Sequence, residues 1–404
     1  MRIGILTLHS QLNYGGVLQA FALQKFLRLQ GHEACVIDRW MDPDNVMLRS
    51  HLASHSLTMR LKYLVRLLIC PGVLKRWMRG RRTQDFISKN IRLSKSHFFE
   101  WSELPGGQLD LDCIVVGSDQ VWNGTTPSTV LPFLLKGADK SIPAISYAPS
   151  FGMDELTDEL RMLFKEGLGR FNALSVRESS GVKLIESLGF SAEKVLDPTL
   201  ILPVKEWVRL SKNAEKGKRG LVCYLMSCDI GVALPLLDAW SKEHSQLVEV
   251  FVDHFEIGPI FRWANLKLTQ KITSILRNGR VTLRLSAGPQ AFLESFSVAR
   301  WVLTDSFHAL AFSCIFDKEV QVIRPVETWR ARMFARILEF SRYVKGSYVC
   351  NSLEDGLQRL GQTRTQSFDK EVLKKDVQRS QTWLLNALGG QENKGWRYER
   401  TGGD

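Results

Sequence analysis

The chain lacks any uncharged run approaching the ~20 residues needed to span a bilayer. Its first residues carry neither a basic n-region nor an apolar h-region, so no signal peptide is expected. Cysteine is sparse and scattered: Cys35, Cys70, Cys113, Cys223, Cys228, Cys314 and Cys350, with no C-x-x-C pair. An odd number, mostly set in apolar runs such as DCIVV and AFSCIF, argues for reduced core thiols in a cytoplasmic protein and against a disulfide scaffold or dithiol redox centre. No metal-ligand spacing occurs, so neither a metal nor a cofactor is expected. Acid is also short, with 42 Asp and Glu against 54 Lys and Arg, a net charge of +12. That balance points to an acidic partner, a phosphorylated small molecule or an anionic membrane surface. Without a zinc knuckle, an RNP-type motif or a Lys/Arg-rich tail, a nucleic-acid partner is not expected.

What is present is ordinary for a folded protein and large enough for two domains: 404 residues, 44% apolar and 24% charged. Strand-like runs at 3–8, 33–38, 112–116, 143–147, 173–177, 194–196, 220–226, 247–252, 300–304 and 319–323 alternate with helix-like ones. The helical runs are 17–30, 156–171, 180–188, 231–244, 289–298, 307–316 and 330–341. Such alternation predicts an α/β fold with parallel sheets covered by helices on both faces. The polar stretch Ser211 to Arg219 is the expected boundary, giving domains at 1–210 and 211–350, a helical segment at 351–388 and a flexible tail at 389–404. Within the first domain, 57–82 alternates apolar with basic residues. It reads either as a peripheral contact with an anionic membrane or as a helical insertion packed on the sheet, and Pro71-Gly72 should break it.

Four segments can carry chemistry. Asn13-Tyr14-Gly15-Gly16 joins the strand IGILTL to the helix from Val17, where a glycine pair lets backbone N–H groups approach an anion at a helix N-terminus. It is not the G-x-G-x-x-G fingerprint, and Asp38, ending the next strand, is either a ribose-binding acid or a solvated strand-end residue. Gly117-Ser118-Asp119-Gln120-Val121-Trp122-Asn123 follows DCIVV: Ser118 or Asp119 can bond a sugar hydroxyl and Trp122 can stack on its ring, or the turn is structural with a packed Trp. Arg177 ends the strand SVRE and either forks an anion or pairs with Glu178 or Asp197. His308, in TDSFHA, opens a helix at a strand's carboxyl end, beside Ser306, and is either a working or a structural histidine. Arg324, Arg330 and Arg332 follow and could complete an anion clamp.

Taken in order, NYGGVLQAFALQKFL, DCIVVGSDQVWN, SYAPSFG, SVRE, VLDPTLIL and GPQAFLESFSVARWVLTDSFHALAFSCIF resemble the polysaccharide pyruvyl transferase family over roughly residues 1–345. The resemblance implies two Rossmann-like domains in a GT-B-like arrangement with an interdomain cleft, the first domain on the acceptor side and the second on the donor side. It implies transfer of a pyruvyl group from phosphoenolpyruvate, the donor substrate, to a sugar of a surface polysaccharide or its lipid- or nucleotide-linked precursor, forming a cyclic ketal. Protein on the inner face of the cytoplasmic membrane would meet a lipid-linked acceptor there. His308 matches the family's catalytic or donor-binding histidine, and Arg177 an arginine that holds the donor. Asn13, Tyr14, Gly15, Gly16, Ser118, Asp119 and Trp122 would face the acceptor. Where many members carry Arg two residues before that histidine, this chain has Ser306, so Arg324 or Arg332 must supply the missing charge. The rival expectations are a GT-B glycosyltransferase using a nucleotide sugar and a non-catalytic sugar- or anion-binding member of the family.

Overall fold

A computed structural model describes residues 1–10, 12–39, 71–98, 110–124, 127–212, 219–252, 273–325, 334–361 and 366–389. Strands β1 (Arg2–Leu6), β2 (Glu33–Arg39), β3 (Leu93–Phe98), β4 (Cys113–Val116) and β5 (Ala144–Ser146) form one sheet in the order β3-β2-β1-β4-β5, every pairing parallel. Two short strands, β6 (Ser175–Val176) and β7 (Glu193–Lys194), pair beside it. A second parallel sheet takes β8 (Arg219–Leu225), β9 (Val248–Val252), β10 (Val281–Leu283), β11 (Ala299–Thr304) and β12 (Glu319–Ile323). Its order is β10-β9-β8-β11-β12, with Val349–Cys350 on the far edge. Both sheets therefore wind outward twice from a central strand, the α/β class the alternation predicts. Strand order reverses between β1 and β4 and again between β8 and β11, and ligands of such sheets sit outside the carboxyl ends at that reversal.

Central strands are buried throughout, as in the wholly apolar CIVV and in VEVFV, where Glu249 pairs with Arg284, because helices cover both faces. The sequence reading misses β3 and β10. Both lie near or at a sheet edge, β3 (LSKSHF) is polar and β10 (VTL) is three residues long, so neither has the apolar signature of a covered strand.

Helix α1 (Tyr14–Leu29) starts three residues before its apolar periodicity does, because Asn13 caps it. It is buried on nearly every side, which only a helix between two layers can be. Its polar side chains are accordingly paired: Gln19 donates to Thr7 Oγ1 at 2.7 Å and Gln24 to the Arg92 carbonyl at 2.7 Å. Helix α2 (Pro71–Asn90) begins at the proline, whose missing N–H costs nothing at a helix start. Residues 57–70 of the basic stretch lie outside the described residues, as do 213–218 of the expected boundary, 326–333 and the tail from 390.

Two side chains tie the halves together. Buried Arg79 of α2 donates to the Leu12 carbonyl from the first half and to the Val252 carbonyl from the second, each at 2.9 Å. Its guanidinium lies 4.1 Å over the Tyr14 ring, and that ring stacks on Phe292 at 4.6 Å and meets Tyr224 and Phe251 edge-on. Helix α3 (Phe307–Ile315) follows β11, and helix α4 (Lys370–Gly389) returns to the first half. There Ser380 Oγ accepts from Leu196 N at 3.0 Å and Gln381 donates to the Ile201 carbonyl at 2.8 Å.

Candidate active site

The reversal points of the two sheets face each other, and the residues after β1, β4, β6 and β11 meet between them. His308, the second residue of α3, lays its imidazole on Gly15: a Cβ at Gly15 would come within 2.0 Å of Nδ1. At Gly16 a Cβ would come within 2.9 Å of the Leu8 carbonyl oxygen and 3.3 Å of Asp119 Oδ2. The glycine pair thus makes room for His308 and Asp119. The expectation that its N–H groups cradle an anion is corrected, since both donate to Asn13 Oδ1, at 2.8 and 3.4 Å. Asn13 is likewise a helix cap, an interaction worth about 1 kcal/mol.

Asp197 organises the site from beneath. Its Oδ2 accepts from Arg177 Nη1 at 2.7 Å and from Ser118 Oγ at 3.2 Å, while Oδ1 accepts from Thr199 N and Oγ1 at 3.0 and 2.8 Å. His308 Nε2 stands 3.7 Å from the same Oδ2, within ion-pair reach but beyond a hydrogen bond. Burial alone would raise the Asp197 carboxyl. The His308 imidazole, the Arg177 charge and the Thr199 N–H outweigh it and hold the group far below the usual carboxylate range.

Arg177 is buried among three acids: besides Asp197, Asp119 Oδ1 is 3.7 Å from Nη2 and Glu178 Oε2 is 3.9 Å from Nε. Burial would lower its pKa, and those carboxylates more than restore it. Both alternatives for this residue meet here, for the pairing with Asp197 exists, yet Nε and Nη2 make no hydrogen bond. Glu178 in turn accepts from Ser150 Oγ and Phe151 N, each at 2.8 Å, which locks the loop after β5 onto the Arg177 strand. Asp119, with backbone φ of 67°, is the most open of the three carboxylates, its side chain 12% exposed against 5% for Glu178 and 0% for Asp197.

A pocket opens beside this cluster, lined from the first half by Arg177, Lys194 and Asp197 and from the second by Phe307, Arg336 and Tyr343. The guanidinium carbons of Arg177 and Arg336 lie 5.0 and 5.6 Å from the centre of the Phe307 ring. Ser306 is the buried N-cap residue of α3 and makes no side-chain cap bond. Arg324 is exposed at the end of β12, 5.6 Å over the Phe334 ring, and does not line the pocket; Arg332 lies outside the described residues.

Four other expectations are redirected by packing. Trp122 is fully buried among Phe151, Phe164 and Phe171 and its Nε1 donates to the Phe133 carbonyl at 3.2 Å, so its ring has no free face for a sugar. Tyr14 is the joint described above, with its hydroxyl donating to the Ala287 carbonyl at 3.0 Å. Ser118 is buried, its Oγ directed to the Ala148 carbonyl and Asp197. Asp38 is neither solvated nor open to a ribose, being buried 3.2 Å from His9 Nε2. Three site residues escaped the sequence reading. Asp197 was legible only as a pairing partner, Phe307 carried no signal beyond its place in TDSFHA, and nothing set Arg336 apart in an arginine-rich segment. Among the described residues, no three His, Cys, Asp or Glu side chains converge to hold a metal ion.

The sequence model of the family described as polysaccharide pyruvyl transferase matches residues 13–324. The chain belongs to the polysaccharide pyruvyl transferase family. The match begins at the α1 cap and ends at Arg324, so it takes in every residue from Asn13 to His308 that builds the cluster. No curated protein sequence matches the chain. Among solved structures it is similar to the UDP-N-acetylglucosamine 2-epimerase of Rickettsia bellii, at 8% identity and TM-score 0.50, with 96% of each chain covered. It is similar too to the UDP-GlcNAc 2-epimerase of Methanocaldococcus jannaschii, at 12% identity and TM-score 0.50, covering 96% of this chain and 99% of that one. At such identities the likeness is one of fold, two Rossmann-like domains in the GT-B arrangement. No described helix is long and apolar enough to cross a membrane.

Proposed function

We propose that the protein transfers a pyruvyl group from phosphoenolpyruvate to two hydroxyls of one sugar, in a polysaccharide or its lipid- or nucleotide-linked precursor. The product is a cyclic ketal, and phosphate is released. The observation that carries this is the contact of His308 with Gly15 over Asp197 and Arg177, which assembles an acid–base group, a cation and a carboxylate at the reversal points of both sheets.

The chemistry assigns roles by accessibility. A proton added to the methylene carbon of phosphoenolpyruvate leaves its neighbour electron-poor, and a sugar hydroxyl attacks there. The second hydroxyl then displaces phosphate. Of the two hydroxyl protons lost, one balances the new methyl group and the other leaves on hydrogen phosphate. His308 delivers the proton, Asp119 receives one from a hydroxyl, and Arg177 holds the donor. Asp197 is sealed beneath and takes no proton: its charge lies 3.7 Å from His308 Nε2 and biases the orientation of the ring. The pocket lining draws on both halves, which favours a donor held between them over one held by 211–350 alone. For a lipid-linked acceptor, the exposed Lys75 and Arg81 of α2 would be the residues turned to an anionic leaflet.

The test is turnover with phosphoenolpyruvate and a panel of sugar acceptors, following phosphate by colorimetry and the ketal methyl group by proton NMR. Both products are expected in equal amounts, falling about 10²- to 10⁴-fold in His308→Ala. Unchanged turnover in a folded His308→Ala would remove the histidine from this role.

A further inference from the structure

Arg336 is a cation without a counter-ion. Its Nε is buried and makes no hydrogen bond, and no carboxylate lies within ion-pair distance of it among the described residues. The neutral Gln120 amide, turned with its oxygen toward the guanidinium, accepts from Nη1 and Nη2 at 3.0 and 3.1 Å. Arg177, on the same Phe307 ring, is enclosed by three acids, so the two arginines are electrostatically unlike. Burial and then the Arg177 charge lower the Arg336 pKa to about 10, against a partial offset from the more distant Glu178, Asp119 and Asp197 charges, which leaves it charged at neutral pH. Lys194, the other cation of the pocket, is already bonded to Glu339 and to Ser179 Oγ. A part-buried, unpaired charge is costly to hold beside another cation unless something anionic arrives.

We propose that Arg336 is the principal ligand for the dianionic phosphate group of the donor, which occupies the pocket beside Phe307 between Arg336 and Arg177. This rests on the phosphoenolpyruvate reading above. It assigns the charge that Ser306 does not supply to a residue thirty positions further along the chain, on the segment that follows β12. Phe307 sets the spacing: its ring lies 5.0 and 5.6 Å from the two guanidinium carbons. The carboxylate of the donor is left to Arg177, closer to His308.

The experiment is calorimetric titration of phosphoenolpyruvate, and separately of inorganic phosphate, into wild type, Arg336→Met, Arg336→Lys and the exposed surface control Arg300→Met. Loss of one charge-assisted contact should weaken phosphoenolpyruvate and phosphate binding by about 10- to 100-fold in Arg336→Met, with partial recovery in Arg336→Lys and no change in Arg300→Met. Equal affinities in wild type and a folded Arg336→Met would overturn the assignment and leave the donor reading standing. Phosphate binding that depends on Arg336, with no binding of phosphoenolpyruvate, would keep the anion site and overturn the donor. Failure of both anions to bind wild type would overturn both.

Discussion

At the residue scale the account turns on Asp197, which serves Arg177, Ser118, Thr199 and His308 with one carboxylate. Its folded pKa is depressed. Its contribution to stability is therefore fully present above its unfolded value, near pH 4, and is lost as pH falls toward the folded value. Asp197→Asn leaves Arg177 short of its closest counter-charge, and removing one partner of a buried pair costs about 3–5 kcal/mol. Urea unfolding at pH 7 should show a loss of that order, and the gap between the two proteins should narrow below about pH 4. Matching midpoints at pH 7 would show that the network contributes nothing. The polar site residues His308, Arg177 and Asp119 were legible because each ends or follows a strand, where doubly wound folds place ligands. Aromatic residues in the same loops were not, since Trp122 and Tyr14 look alike in sequence whether they stack on a sugar or fill a core.

At the element scale the decisive contact is between the N-terminus of α1 and the first turn of α3. Helix propensity alone favours Gly15→Ala by about 0.5–1 kcal/mol. The added methyl group would, however, lie 2.0 Å from His308 Nδ1, so the imidazole must move off its place above Asp197. Turnover should drop toward the roughly 10²- to 10⁴-fold loss that removal of an acid–base group brings, while the melting temperature changes little. Full turnover in this variant would mean that His308 works from another position. The two elements themselves were readable, α1 from its apolar spacing and α3 from the run after TDSFH. Their contact was not, because nothing local in Asn13-Tyr14-Gly15-Gly16 says that the glycines clear space for a ring nearly three hundred residues away. A glycine pair before a helix reads as an anion loop, and the Asn13 cap and the His308 ring packed against Gly15 correct that.

At the scale of the whole molecule, two doubly wound sheets are held face to face by α1, by the Arg79 bridge and by the return of α4. The central strands were visible as apolar runs, whereas the order in which they pair was not. The joint was hidden, because Tyr14 and Arg79 are a loop residue and one of many basic residues until the second half packs against them. This joint brings the acids and Arg177 of the first half to His308 and Arg336 of the second, making the candidate site from two chain halves. The central claim is that this site takes phosphoenolpyruvate. Its most direct test is a thermal-shift titration with phosphoenolpyruvate, uridine diphosphate and guanosine diphosphate on wild type and Arg177→Ala. A ligand at a hundredfold excess over its Kd should stabilise by about 2.7 kcal/mol. Stabilisation by phosphoenolpyruvate alone, lost in Arg177→Ala relative to that variant's own melting point, is the expected result. Stabilisation by a nucleotide alone, with none from phosphoenolpyruvate, would contradict the claim and make the protein a nucleotide-sugar enzyme.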